Sequence, residues 1–269
     1  MNSGMDLKLD TTAYNFYKLR KYQLSSLKIQ AELTSFNQVN QFIPFFYRIS
    51  FVNKIVHRLI PIKSLVKYYS AVGKIVIEKE HYKFDPAILD IKKDIFLRGF
   101  WQNEKYFNDI RPAIRQDFQL KDGLASSYYS NIHRDIQAVS SVSIHIRRGD
   151  FLNIPRFAVC SNDYYMKAMA YIAERVSDPI FYVFSDDLPW VKENFRSERP
   201  VIFVERCNLD CEELLLMSAC KHHIIANSTF SWWGAWLGTD DSIVIAPANW
   251  FTDGQNLHDF IPEHWVKME

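Results

Sequence analysis

Residues Ser143-Ile144-His145-Ile146-Arg147-Arg148-Gly149-Asp150 form an apolar run that stops at two arginines, a glycine and an aspartate. An apolar run without strict alternation reads as a strand buried on both faces, as in a parallel sheet. Side chains just beyond the carboxyl end of such a strand project into the ligand crevice of an open α/β sheet. Two adjacent guanidiniums are costly there unless an anion is expected, and a diphosphate suits them because arginine offers a fixed bidentate fork. Gly149 allows a tight turn or a close backbone approach. Taken alone, the same residues also fit an interdomain salt-bridge cluster.

Outward from this stretch, the second half of the chain alternates short apolar runs with amphipathic segments, the pattern of a doubly wound parallel sheet. Residues 141–146, 180–184, 201–204, 223–226 and 242–246 read as strands. Residues 162–176 read as a helix, because Tyr165, Ala168, Met169, Ile172 and Val176 share one face and Ser161 is placed to cap it. Residues 211–220 and 228–237 read as further crossover helices. The first half is harder to parse: a strand at 6–9, helical pieces near 103–118 and a helix over 126–139. We place the domain boundary near residue 140, giving domains of 1–139 and 140–269.

Two other strand ends carry polar chemistry. Asn227-Ser228-Thr229-Phe230-Ser231-Trp232-Trp233-Gly234 follows a strand and opens a helix, where free N–H groups and the helix dipole favour an anion and three hydroxyls add donors. Plain N-capping by Ser or Thr is the competing reading. Trp232, Trp233 and Trp236 read as core. Phe184-Ser185-Asp186-Asp187 offers paired carboxylates to a ribose or base, although Asp187 reads more readily as a helix cap. All three ends line one edge of one sheet. A nucleotide diphosphate held there without a GxGxxG or GxxxxGK[ST] loop points away from dehydrogenases and NTPases.

The 269 residues, 48% apolar and 15% aromatic, describe an ordinary globular chain. Lys plus Arg number 32 against 31 Asp plus Glu, so no global field supports nucleic-acid binding. Cys160, Cys207, Cys211 and Cys220 show no metal-ligand or CxxC spacing, and a reducing compartment is the simplest fit. Residues 1–10 contain no readable signal peptide, and no run approaches the roughly 18 apolar residues of a membrane span. Together these predict a cytoplasmic chain. From Leu33 to Ile77 there is no Asp or Glu, while Arg48, Lys54, Arg58, Lys63, Lys67 and Lys74 interleave with aromatic and aliphatic residues. Such a segment suits peripheral contact with the anionic inner face of a membrane, or is simply a solvated face with snorkelling lysines.

The block His145-Ile146-Arg147-Arg148-Gly149-Asp150, then Tyr164-Tyr165 with Lys167-Ala168, Phe184-Ser185-Asp186-Asp187, Leu216-Met217-Ser218 and His222 to Ala235, resembles the α-1,2-fucosyltransferases of glycosyltransferase family 11, in the spacing of its surface-polysaccharide members. The first half matches loosely, through Gly99-Phe100-Trp101-Gln102 and Tyr106-Phe107. The resemblance implies a GT-B-like α/β fold, two Rossmann-like domains facing across a cleft, the second binding the GDP-sugar. It implies transfer of L-fucose from GDP-β-L-fucose to the 2-hydroxyl of a galactoside, free or lipid-linked, with inversion and with neither metal nor other cofactor. Carried over by position, Arg147 binds the β-phosphate and stabilises leaving GDP, with Arg148 in support. His145, Asp186 and Glu213 help hold the guanosine, and Asn227, Ser228, Thr229 and Ser231 cup the phosphates. Asp150 is the nearest candidate for a general base, or else anchors Arg147 by a salt bridge. A dissociative reaction would need little base assistance. Family members usually open with a strand and a Gly-Gly-Leu-Gly-Asn-Gln loop, which residues 1–10 do not contain, so the first domain is expected to be short of roughly one strand and one helix.

Overall fold

The computed structural model describes residues 6–15, 22–42, 74–254 and 259–269. The basic, aromatic stretch expected to meet a membrane lies mostly outside the described residues. Among those described, no helix is long and apolar enough to cross a membrane. The chain divides into two compact units, one of residues 1–25 and 29–110, the other of residues 26–28 and 111–269. Residues 111–139, assigned from sequence to the first domain, pack within the second unit.

In the first unit, β1 (Lys8–Leu9) pairs in parallel with β2 (Glu32–Leu33), and α1 (Phe36–Asn40) opens on a capping box between Ser35 and Gln38. A second parallel pair joins β3 (Ile75–Ile77) to β4 (Phe96–Arg98), with Ile77 opposite Arg98. The helical pieces expected near 103–118 are two single 3-10 turns, Glu104–Tyr106 and Asn108–Ile110, followed by α2 (Arg111–Asp117) of the second unit.

The second unit is an α/β domain on a parallel six-stranded sheet. Its elements run α3 (Ser127–Gln137), β5 (Ser140–Ile146), α4 (Asn162–Ala173), β6 (Pro179–Ser185), α5 (Leu188–Asn194), β7 (Val201–Phe203), α6 (Asp210–Ala219), β8 (His222–Ile224), α7 (Thr229–Leu237), β9 (Val244–Pro247) and β10 (Val266–Met268). The strand order is β10-β9-β8-β5-β6-β7. Strand alternation sends Val142, Ile144 and Ile146 of β5 into a cluster with Tyr165, Ala168 and Ile172 of α4. On the other face, Ser143 meets His223 and His145 meets Phe230 of α7. Trp232 and Trp236 of α7 are fully buried and stacked with centroids 6.2 Å apart, with Phe260 against Trp232, so they are core as expected. Cutting either to alanine should cost about 3–5 kcal/mol. Trp233 is only partly buried, stacked on Phe118 at 5.8 Å.

Two ends differ from the sequence reading for local reasons. Helix α4 stops at Ala173 rather than 176: Arg175 N–H and Val176 N–H both close on Ile172 O at 2.9 Å, and Asp178 then turns the chain with φ of 49°. Strand β8 ends at Ile224 rather than Ala226, since Ser228 N–H already bonds Ala226 O at 2.7 Å in the turn that opens α7.

Candidate active site

The register of the two central strands builds the site. Ile146 of β5 lies opposite Ser185 of β6, so the next residues along, Arg147 and Asp186, are neighbours at the carboxyl edge. Arg147 Nη1 sits 3.0 Å from Asp186 Oδ2, and its Nη2 sits 2.5 Å from Asp150 Oδ1. The arginine side chain is only 15% exposed, while that of Asp150 is 64% exposed. Asp186 also accepts the backbone N–H of Arg148 at 2.9 Å through Oδ1. A Cβ at residue 149 would collide with Asp186 Oδ2, which explains the glycine there. The Arg147 guanidinium lies 5.4 Å from the Phe151 ring centre, and its Nε is buried with no hydrogen-bond partner. A buried donor of this kind is a rarity that calls for a ligand or an ordered water.

Arg148 turns to a different set of groups. Its guanidinium stacks 3.1 Å from the centre of the Trp190 ring, with Nε 3.2 Å from Asp187 Oδ2. Asp187 also caps α5, accepting from Trp190 N–H at 3.4 Å, so the capping expectation holds and the residue has a second task. Two guanidiniums thus stand among three carboxylates.

The remaining predicted residues divide by burial. His145 is buried, its Nδ1 has no partner, and burial, then the Arg147 charge, push its pKa down to about 3, so it stays neutral. Glu213, half-buried on α6, accepts Cys207 N–H at 3.1 Å; burial raises its pKa, opposed by that bond and by Arg206 and helped by Asp210 and Asp186. Asn227 is buried and its amide donates to Phe157 O at 3.2 Å and Trp250 O at 3.0 Å, a cross-brace between loops. These loops border an open cavity of about 320 Å³ lined by Ala158, Val159, Asn249, Phe251 and Thr252. Ser231 is buried and its hydroxyl is bonded to Ala226 O and Ser228 O, inside the turn. Ser228 is the N-cap of α7 but makes no side-chain capping bond, and Thr229 is exposed. The turn therefore leaves Thr229 exposed and the start of α7 without a side-chain cap, while Asn227 and Ser231 hold its shape.

Supporting residues that sequence reading did not single out include Arg111 and Arg115 on α2. Arg111 donates to Trp236 O at 3.1 and 2.6 Å, Arg115 bonds Leu237 O and Gly238 O, and both pair with Asp240. Cations on the last carbonyls fasten the carboxyl end of α7 and suit its dipole. Their i,i+4 spacing is the one sequence signal that they act together. Tyr164 and Tyr165 of α4 tie that helix to the strand ends, through Ile225 O at 2.7 Å and His145 O at 3.0 Å. Among the described residues, no group of three or more His, Cys, Asp and Glu side chains could hold a metal ion.

A parallel sheet thus presents at its strand ends a braced arginine pair, suited to an anion, beside the start of a helix. The chain matches the model of Glycosyl transferase family 11 over residues 2–269 and belongs to that family. It is 40% identical over 190 residues to an alpha-1,2-colitosyltransferase of Escherichia coli, covering 66% of this chain and 64% of that one. It is 34% identical over 204 residues to the O-antigen biosynthesis glycosyltransferase WbnK of Escherichia coli, covering 71% and 67%. It is 27% identical over 180 residues to galactoside alpha-(1,2)-fucosyltransferase 1 of Saimiri boliviensis boliviensis, covering 62% and 49%. The chain thus spans about half to two thirds of the length of these relatives. No solved structure gives a significant match.

Proposed function

We propose that the chain transfers L-fucose from GDP-β-L-fucose to the 2-hydroxyl of a galactoside in glycan or O-antigen synthesis, within the GT-B-like two-domain build that the family resemblance implies. The observation that carries this reading is the buried, unpartnered Nε of Arg147 at the end of β5. The acceptor oxygen bonds to the anomeric carbon as the bond to the β-phosphate breaks, GDP leaves with that electron pair, and the hydroxyl proton is released. Inversion converts the β-linked donor to an α-linked product. Arg147 meets the charge developing on the departing β-phosphate, where a fixed cation acts most strongly. Arg148, stacked on Trp190, supports it with a second positive charge. Asp150 and Asp186 position Arg147, and no metal is required. His145 and Glu213 flank the guanosine, and the α7 turn at Ser228 and Thr229 cups the phosphates. Residues 33–77 are proposed as a peripheral membrane contact near a lipid-linked acceptor.

The name of the 40%-identical relative favours a second donor, nucleotide-linked colitose, the 3-deoxy counterpart of L-fucose. Both readings use the same phosphate chemistry and differ at one sugar hydroxyl. The test incubates the full chain with lactose and, in separate arms, GDP-L-fucose, GDP-colitose and GDP-mannose, all with EDTA, and reads GDP release and the product linkage by NMR. An α-1,2-fucoside is expected. Product only from GDP-colitose would select the second reading, and product only from GDP-mannose would overturn both.

A further inference from the structure

The first unit carries a polar and aromatic cluster that the donor site does not use. Glu78 follows β3 and Gly99 follows β4, so both stand at the carboxyl ends of adjacent parallel strands, where ligand crevices form. Glu78 N–H extends the ladder to Arg98 O at 2.9 Å, and its buried carboxylate accepts Phe100 N–H at 2.8 Å and meets His81 Nδ1 at 3.0 Å, both on Oε2. Its other oxygen, Oε1, is buried without a partner, as are Trp101 Nε1 and Gln102 Nε2. One acceptor and two donors thus lie unused inside one short segment, against the strong tendency of buried polar atoms to pair.

The backbone is held in place at some cost. Tyr82 and Trp101 adopt left-handed φ of 70° and 50°, unusual for residues that are not glycine. Strain of this kind gathers at ligand sites. Asn103, fully buried, fixes the segment by donating to Tyr82 O at 3.0 Å. A Cβ at residue 99 would strike that of Glu78, so only glycine lets the two strand ends meet. Phe100, whose N–H holds Glu78, is itself 68% exposed, with the His81 ring 5.3 Å and the Tyr82 ring 6.4 Å from it. Exposed aromatic rings in the same segment as unpaired hydrogen-bonding groups suit an uncharged, hydroxyl-rich ligand with one apolar face, which is a pyranose. The Glu78 carboxylate disfavours a phosphate.

We propose that the segments 78–82 and 99–102 form a sugar subsite that takes the galactoside of the acceptor, an inference that rests on the function proposed above. The sugar's C–H face stacks on Phe100, and its hydroxyls bond Glu78 Oε1 and the free N–H groups of Trp101 and Gln102.

The test uses the full chain and methyl β-D-galactopyranoside, followed by saturation-transfer NMR, with acceptor KM measured in parallel on lactose. Phe100→Ala removes an exposed ring and should leave the circular dichroism spectrum and the thermal shift by GDP unchanged. It should weaken the saturation transfer severalfold and raise acceptor KM roughly tenfold, the effect of losing about 1.4 kcal/mol of binding. Glu78→Gln should raise acceptor KM likewise. No saturation transfer from the wild-type chain to the galactoside, or wild-type values in both variants, would overturn the subsite. Saturation transfer weakened by Phe100→Ala in a chain that makes no fucoside would keep the subsite and reject the transferase reading.

Discussion

Asp186 holds Arg147 and the turn that follows it at once, with Oδ2 3.0 Å from the guanidinium and Oδ1 accepting the Arg148 N–H at 2.9 Å. One carboxylate therefore fixes both the cation and the backbone that aims it. Asp186→Asn keeps one bond and loses the charge. It should lower kcat about 10- to 100-fold, the cost of a reacting group displaced by near an ångström, while circular dichroism stays native. A wild-type kcat would show that Arg147 needs no such brace.

Arg147→Ala should remove at least about 3 kcal/mol of transition-state stabilisation. Steady-state transfer with an intact fold, judged by circular dichroism, checks this. Near-normal turnover would take Arg147 out of the site.

Gly149→Ala sets a methyl against Asp186 Oδ2 and must push the carboxylate away. We expect a loss of kcat similar to that of Asp186→Asn. In the double variant the two losses should fall well short of adding, since both act on one contact.

Asp150 distinguishes an anchor from a base. Its side chain is 64% exposed and already paired with Arg147. An exposed pair is worth at most about 1 kcal/mol, so Asp150→Asn should reduce kcat less than about tenfold. A drop of about 100-fold or more, with the low-pH limb of the rate profile lost, would make it the general base.

His145 and His223 are both buried with pKa pushed down to about 3, first by burial and then by nearby positive charge. The unfolded chain binds protons at these histidines from about pH 6.5 downward while the folded one does not. Stability should therefore fall as pH drops from about 6.5 toward 3, by about 1.4 kcal/mol per unit for each histidine. Melting curves from pH 7 to 4 check this, and His223→Gln should flatten the slope by about half. A flat profile would mean both histidines are protonated when folded.

The parallel sheet was legible because strands buried on both faces leave long apolar runs, and the runs at β5 and β6 end on charges that could not continue into a core. Their register was not legible, so the Arg147–Asp186 pair emerged only from the structure. Asn227 and Ser231 read as phosphate ligands because a hydroxyl-rich helix start looks alike whether its groups face out or in. Burial turned them inward. Strands β3 and β4, three residues each, are too short to show a period, so Gly99 to Gln102 stand out in the sequence while the Glu78 cluster does not. The grouping of residues 111–139 with the second unit depends on contacts such as Arg111 with Trp236, 125 positions apart.

The most direct measurement is a thermal-shift titration of the full chain with GDP-L-fucose in EDTA, beside GDP-mannose, UDP-galactose and the Arg147→Ala variant. At a hundred times its dissociation constant the ligand should stabilise the wild type by about 2.7 kcal/mol, a rise of several degrees. The account predicts that rise for GDP-L-fucose, little for UDP-galactose, and its loss in Arg147→Ala. An equal rise in Arg147→Ala, or none in a folded wild type, would contradict it.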